Sequence, residues 1–81
     1  MFSKDSCVYC VRAKNLFDQK GVEVVIYNVL EEAHMLEMQR RAPESRTVPQ
    51  IFIADEHVGG FSDLDALDKE GRLDGMLEAL N

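Results

Sequence analysis

Cys7-Val8-Tyr9-Cys10 carries both cysteines of the chain, separated by two residues. Ahead of it, Met1-Phe2-Ser3-Lys4 is short and partly apolar and reads as the end of a strand. Behind it, Val11, Leu16 and Phe17 recur at helical spacing among polar residues. The pair therefore falls where a strand turns into a helix, with Cys7 at or just before the first turn. The first N–H groups of a helix have no carbonyl partners and carry the positive end of its dipole. A thiolate there is stabilised, which makes Cys7 a nucleophile. Cys10, one turn further on, is positioned to attack a mixed disulfide formed on Cys7.

Three other uses of the pair are weaker. A zinc site needs four ligands, and the only histidines, His34 and His57, lie far apart without the paired spacing of a zinc motif. A structural disulfide across so short a loop removes little chain entropy. Buried, inert thiols sit poorly beside Lys4, Ser6 and Tyr9, which suggest a surface site. A thiol–disulfide redox motif fits best, provided a βαβ pattern follows.

That pattern does follow. A first helix is expected from Val8 to Lys20, with Gly21 as its stop. Val22 to Asn28 is β-branched and aromatic and reads as a strand parallel to the first. Glu31 to Ala42 reads as a second helix, acidic at its start, basic at its end and terminated by Pro43. Its apolar stripe is Ala33, Met35, Leu36, Met38 and Ala42, the methionines serving as core filling. Ile51 to Ala54 reads as a third strand, Asp55-Glu56 as a tight turn and His57 to Gly59 as a fourth strand of an antiparallel hairpin. Ser62 is the expected N-cap of a third helix, with Leu64 and Leu67 facing inward and Gly71 as its stop; Leu73 to Leu80 is a last short helix. His34 and His57 read as exposed residues without a catalytic part. The whole is an α/β chain: a four-stranded mixed sheet with helices on both faces and a shortened first strand.

Eighty-one residues make one small domain, 1–81, with 46% hydrophobic residues for a single core. A net charge of −6 argues against nucleic acid or an anionic membrane as a partner. No apolar run is long enough to span a bilayer and no signal peptide opens the chain, so a cytoplasmic location and a monomer are the default expectations. Two cysteines in one CxxC suit a reducing compartment.

Two further stretches belong with the cysteines. Thr47-Val48-Pro49 puts a proline at the start of a strand, where a cis peptide would turn the N–H and C=O of Val48 outward toward an extended peptide. Gly60-Phe61-Ser62-Asp63 opens a helix, whose free N–H groups suit a carboxylate while Asp63 suits an ammonium. Lys4 and Arg41 offer charge for a second carboxylate. A small peptide with a central thiol, an amino-acid end and a carboxylate end, such as glutathione, has the matching form.

On these three stretches the chain closely resembles the glutaredoxins: Lys4 to Cys10, Arg46 to Ile53, and Gly59 to Leu64. The resemblance runs from about Phe2 to Leu80. It implies a thioredoxin-like fold and glutathione-dependent reduction of protein disulfides and glutathione mixed disulfides. Cys7 would be the nucleophile and Cys10 the resolving thiol, at a potential of about −200 to −230 mV. It also implies a glutathione groove of Lys4, Tyr9, Arg41, Thr47, Val48, Pro49, Ser62 and Asp63, with Pro49 in cis. No metal is expected. The chain departs from the dithiol members in having Val8 where they have proline, which loosens the first turn. It also has few residues ahead of Phe2, so that either the natural start lies upstream or the variant is minimal and less stable. Two alternatives stay open at this stage. One is a carrier of a [2Fe–2S] cluster held by Cys7 of two chains and two glutathiones. The other is a dedicated hydrogen donor to ribonucleotide reductase.

Overall fold

Phe2 sits in the middle of the sheet. On one edge its N–H donates to Gln50 O at 2.9 Å, and Gln50 N–H donates back at 3.1 Å. On the other edge Tyr27 N–H donates to Met1 O and Val29 N–H to Ser3 O, at 2.9 and 2.8 Å. The computed structural model describes residues 1–80. It runs β1 (Phe2–Ser3), α1 (Val8–Gln19), β2 (Tyr27–Asn28), α2 (Glu32–Arg41), β3 (Ile51–Ile53), β4 (Glu56–Gly59), α3 (Phe61–Lys69) and α4 (Leu73–Glu78). β1 pairs parallel with β2, and β3 pairs antiparallel with β4. The expected four-stranded mixed sheet is thus two short ladders joined by the antiparallel Phe2–Gln50 bridge.

Side chains alternate across this sheet, as the two-residue period of a strand requires. Met1, Ile51 and Ile53 point to one face, where Ala13 and Phe17 of α1, Leu64 of α3 and Leu73 and Leu77 of α4 complete a core. Phe2 points to the other face and packs with Val29, Met38 of α2 and Phe52. Helices therefore cover both faces, and β1 is pinned from above and below. The architecture is α/β, a small mixed sheet covered by helices on both faces.

Four expectations are corrected. The strand foreseen over Val22 to Asn28 is only Tyr27–Asn28, because β1 offers two residues to pair with. The hairpin turn is Ala54-Asp55, one residue earlier than expected. Both residues take positive φ, 50° and 66°, which is the backbone a two-residue hairpin needs. α3 begins at Phe61 with Gly60 as N-cap, not at Ser62. Leu36 and Val11 are exposed, so the buried faces of α2 and α1 are narrower than the apolar pattern suggested, and Leu80 lies beyond the end of α4 and is exposed. The helix ends, in contrast, follow the expected glycine. At Gly21, φ 71°, the Gly21 and Val22 N–H groups donate back to Asp18 and Phe17 carbonyls, and α3 closes the same way at Gly71. Lys20 then reaches from the end of α1 to Asp68 of α3 and Asp74 of α4, at 2.8 and 2.9 Å. Among the described residues no helix is long and apolar enough to cross a membrane.

Candidate active site

α1 starts at the chemistry. Cys7 is its N-cap, with extended backbone angles (φ −97°, ψ 111°). Its sulfur accepts the Cys10 N–H at 3.3 Å, so a helix-terminal donor points at it. The Cys7 thiol in turn donates to Val48 O at 3.7 Å, which ties the start of α1 to the strand leading into β3. Cys7 is half-buried, Cys10 is buried, and both thiols are free. Burial pushes the Cys10 thiol up from its ordinary value, and its hydrogen bond with Cys7 adds to this. Bonds from Ser3 and the Lys4 backbone pull the other way without cancelling it. The two sulfurs are therefore inequivalent. One is reachable and faces helix N–H groups; the other is held inside as a thiol.

The Val48–Pro49 peptide is cis, as the sequence suggested. Val48 and Pro49 line an open groove of about 420 Å³ together with Tyr9, Thr47, Gly60, Phe61 and Ser62. Tyr9 and Phe61 stack with centroids 6.1 Å apart and planes 29° apart, so α1 and α3 share one aromatic wall. Phe61 and Gly60 were not singled out as groove residues from the sequence. An aromatic residue directly after Gly59-Gly60, at a helix start that faces another exposed aromatic, is the signal that could have found Phe61.

Asp63 occupies the third position of α3 and accepts the Gly60 N–H at 3.1 Å. This fixes its carboxylate at the mouth of the helix and demands room from Gly59. Gly59 has φ 116°, and a Cβ there would stand 2.4 Å from Asp63 Oδ2. We expect Gly59→Ala to cost about 1–3 kcal/mol of stability, because positive φ and the carboxylate oppose it together. Chemical denaturation checks this. A cost below about 0.5 kcal/mol would mean that Asp63 swings away freely.

Lys4 lies on the other side of the cysteines, in a shallow depression shared with Ser6, Cys7, Cys10 and Lys14. Arg41, like Lys4, lies outside the lining of the Tyr9–Ser62 groove. Its guanidinium lies 4.2 Å from the Phe52 ring centroid and pairs with Asp55 Oδ1 at 3.3 Å. It lines an apolar cleft with Val22, Val24 and Leu77, not the groove beside Cys7. An aromatic face and a carboxylate from the hairpin hold it there. Neither histidine is near the sulfurs. His34 Nδ1 sits 3.0 Å from Asn28 O and 2.8 Å from Glu31, and His57 Nε2 sits 2.7 Å from Gln50 Oε1. The polar contact to the Cys7 sulfur is thus a backbone N–H and not an imidazole. Among the described residues no cluster of three or more His, Cys, Asp or Glu side chains is arranged to hold a metal ion.

Comparison with known proteins bears on the same elements. The family profile described as Glutaredoxin matches residues 1–58. Glutaredoxin 1 of Rickettsia prowazekii is 44% identical over 81 residues, covering 96% of this chain and 84% of the relative. Glutaredoxin 3 of Escherichia coli is 41% identical over 78 residues, covering 96% and 94%. Among solved structures, a buckwheat glutaredoxin–glutathione complex superposes with a TM-score of 0.85 at 33% identity, covering 96% of this chain and 74% of that one.

Proposed function

The chain belongs to the glutaredoxin family, a family of thiol–disulfide oxidoreductases, and from that membership we propose a glutathione-dependent cycle run by Cys7 and Cys10 over residues 1–81. The observation that carries the proposal is the inequivalence of the two sulfurs at the end of the groove: Cys7 at the helix N-cap, Cys10 buried behind it.

On a glutathione mixed disulfide, the Cys7 thiolate attacks the glutathione sulfur. A Cys7–glutathione disulfide forms, and the substrate sulfur leaves as a thiolate and takes a proton from solvent. A second glutathione thiolate then attacks the bound glutathione sulfur, releasing oxidised glutathione and the Cys7 thiolate. On a protein disulfide, Cys7 attacks one substrate sulfur and the other leaves. Cys10 then loses its proton and attacks Cys7, forming the Cys7–Cys10 disulfide and freeing the substrate's second thiol. Two glutathiones restore the dithiol. The first route consumes one free glutathione and the second consumes two, and each releases one oxidised glutathione.

The groove supplies the geometry for this. Glutathione would run along Thr47 and Val48 as an extended peptide pairs with a strand, with Pro49 and Tyr9 shaping the walls. The free N–H groups at Ser62 would take one carboxylate, Asp63 the ammonium and Lys4 the second carboxylate. Arg41 has no part in this reading, being engaged with Phe52 and Asp55. Solved relatives support it to the extent that a buckwheat member was crystallised with glutathione. The cycle consumes reduced glutathione, which a reducing compartment such as the cytoplasm supplies.

A trapping experiment tests the assignment. Cys10→Ser incubated with oxidised glutathione should gain one glutathione, and peptide mass spectrometry should locate it on Cys7. Absence of an adduct on Cys7, the one thiol left in the folded and reduced variant, would contradict the reading.

A further inference from the structure

The chain has nine Lys and Arg residues against fifteen Asp and Glu. Among the described residues, Lys14, Lys20, Arg40, Arg41, Lys69 and Arg72 each lie within ion-pair distance of a carboxylate. The cations left over are Lys4, Arg12 and Arg46. Lys4 and Arg12 lie beside the redox site, and Arg46 adjoins it in sequence. Lys4 shares the depression with Cys7 and Cys10. Arg12 is exposed, and its guanidinium carbon lies 5.4 Å from the centroid of the Tyr9 ring, which is itself a wall of the groove. Arg46 is exposed and directly precedes Thr47, which lines the groove from β3's side. Apart from these, the charge near the groove is Asp63, which is occupied by the Gly60 N–H, and the exposed Asp5 and Glu44.

In a protein of net charge −6, the site end, with three unpaired cations against three carboxylates, is thus close to neutral, and the excess negative charge lies elsewhere. Lys4 has a proposed role toward glutathione; Arg12 and Arg46 have none. Arg12 is nevertheless not free to wander, because the Tyr9 face holds it. Around the same opening the protein presents Val8, Tyr9 and Val11, exposed by 62%, 56% and 56%, a surface that a macromolecular substrate must touch to bring its sulfur to Cys7.

We propose that Arg12 and Arg46 select protein substrates that carry Asp or Glu beside the modified cysteine. The two cations contact those carboxylates on either side of the groove while glutathione occupies it. The acidic remainder of the surface repels the same partners elsewhere and so favours encounters at the site end. This inference rests on the glutathione-dependent reading above and adds to it the chemical class of the partner.

The test uses two glutathionylated peptides that are identical except that the modified cysteine is flanked by Asp in one and by Lys in the other. The glutathione moiety is the same in both, so its own charge cancels in the ratio. At low salt the wild type should turn over the Asp peptide with a kcat/KM about tenfold higher, and the ratio should fall below about twofold near 1 M salt. Arg12→Gln and Arg46→Gln should each cut the low-salt ratio by roughly threefold, and Arg12→Lys should keep it. A merely structural role for Arg12 would lower both peptides alike and leave the ratio unmoved. Equal rates on both peptides, or a preference for Lys, overturn the selection. Turnover of neither peptide by folded wild type overturns the glutathione reading itself, a result distinct from loss of preference.

Discussion

Cys7→Ser is expected to lose at least about three orders of magnitude of turnover on any glutathione mixed disulfide while keeping its fold. A serine hydroxyl does not ionise near neutrality and forms no bond to sulfur that could later be exchanged, so the covalent intermediate disappears. The fold should survive because serine is among the best N-cap residues, and its oxygen can accept the Cys10 N–H that the Cys7 sulfur now accepts at 3.3 Å. Cys10 cannot take over the attack. It is buried, and that burial, the largest cause of the shift, holds its thiol above the ordinary value. Far-ultraviolet circular dichroism and thermal unfolding establish the fold, and a coupled assay reads the rate. Full activity in the folded variant would show that the roles of the two sulfurs are wrongly assigned.

Cys10→Ser is expected to split the two reactions. Deglutathionylation uses a second glutathione as resolving thiol and should stay within about threefold of wild type. Reduction of a protein disulfide needs the internal attack and should fall by roughly a hundredfold or more, since an intramolecular thiol replaces one at millimolar concentration. The raised Cys10 thiol adds a pH signature. At neutral pH it is protonated and must lose that proton to attack. The wild-type protein-disulfide rate should therefore rise with pH beyond the ordinary thiol range, when the internal step limits it. Deglutathionylation by Cys10→Ser should lack this rise. Equal loss of both reactions, or no loss of either, would remove Cys10 from the resolving role.

What the sequence revealed follows from which residues act locally. Cys7 at the head of a helix is legible because an apolar stripe and the terminal Gly21 delimit α1 without help from other elements. Pro49 is legible because its ring excludes the ordinary ladder position, and the peptide before it is indeed cis. Val22 to Ile26 misled because β propensity describes a residue and not its partner: with β1 only two residues long, those side chains have no strand beside them. The hairpin was displaced by one residue because Ala54 takes a φ of 50°, a conformation its type does not announce. Ser62 looked like the cap because its hydroxyl is suited to capping. The helix begins earlier because Asp63 bonds back to Gly60 and Phe61 is drawn against Tyr9. Arg41 was placed correctly at the end of a helix, but its guanidinium sits apart from the groove. Its direction is set by Phe52 and Asp55, which belong to β3 and the hairpin turn.

The measurement that bears most directly on glutathione-dependent catalysis is steady-state reduction of a small glutathione mixed disulfide by the wild-type protein, coupled through glutathione reductase to NADPH oxidation. The account predicts turnover that saturates with the mixed disulfide, requires glutathione and vanishes in Cys7→Ser. Absence of turnover in folded, fully reduced wild type would contradict it.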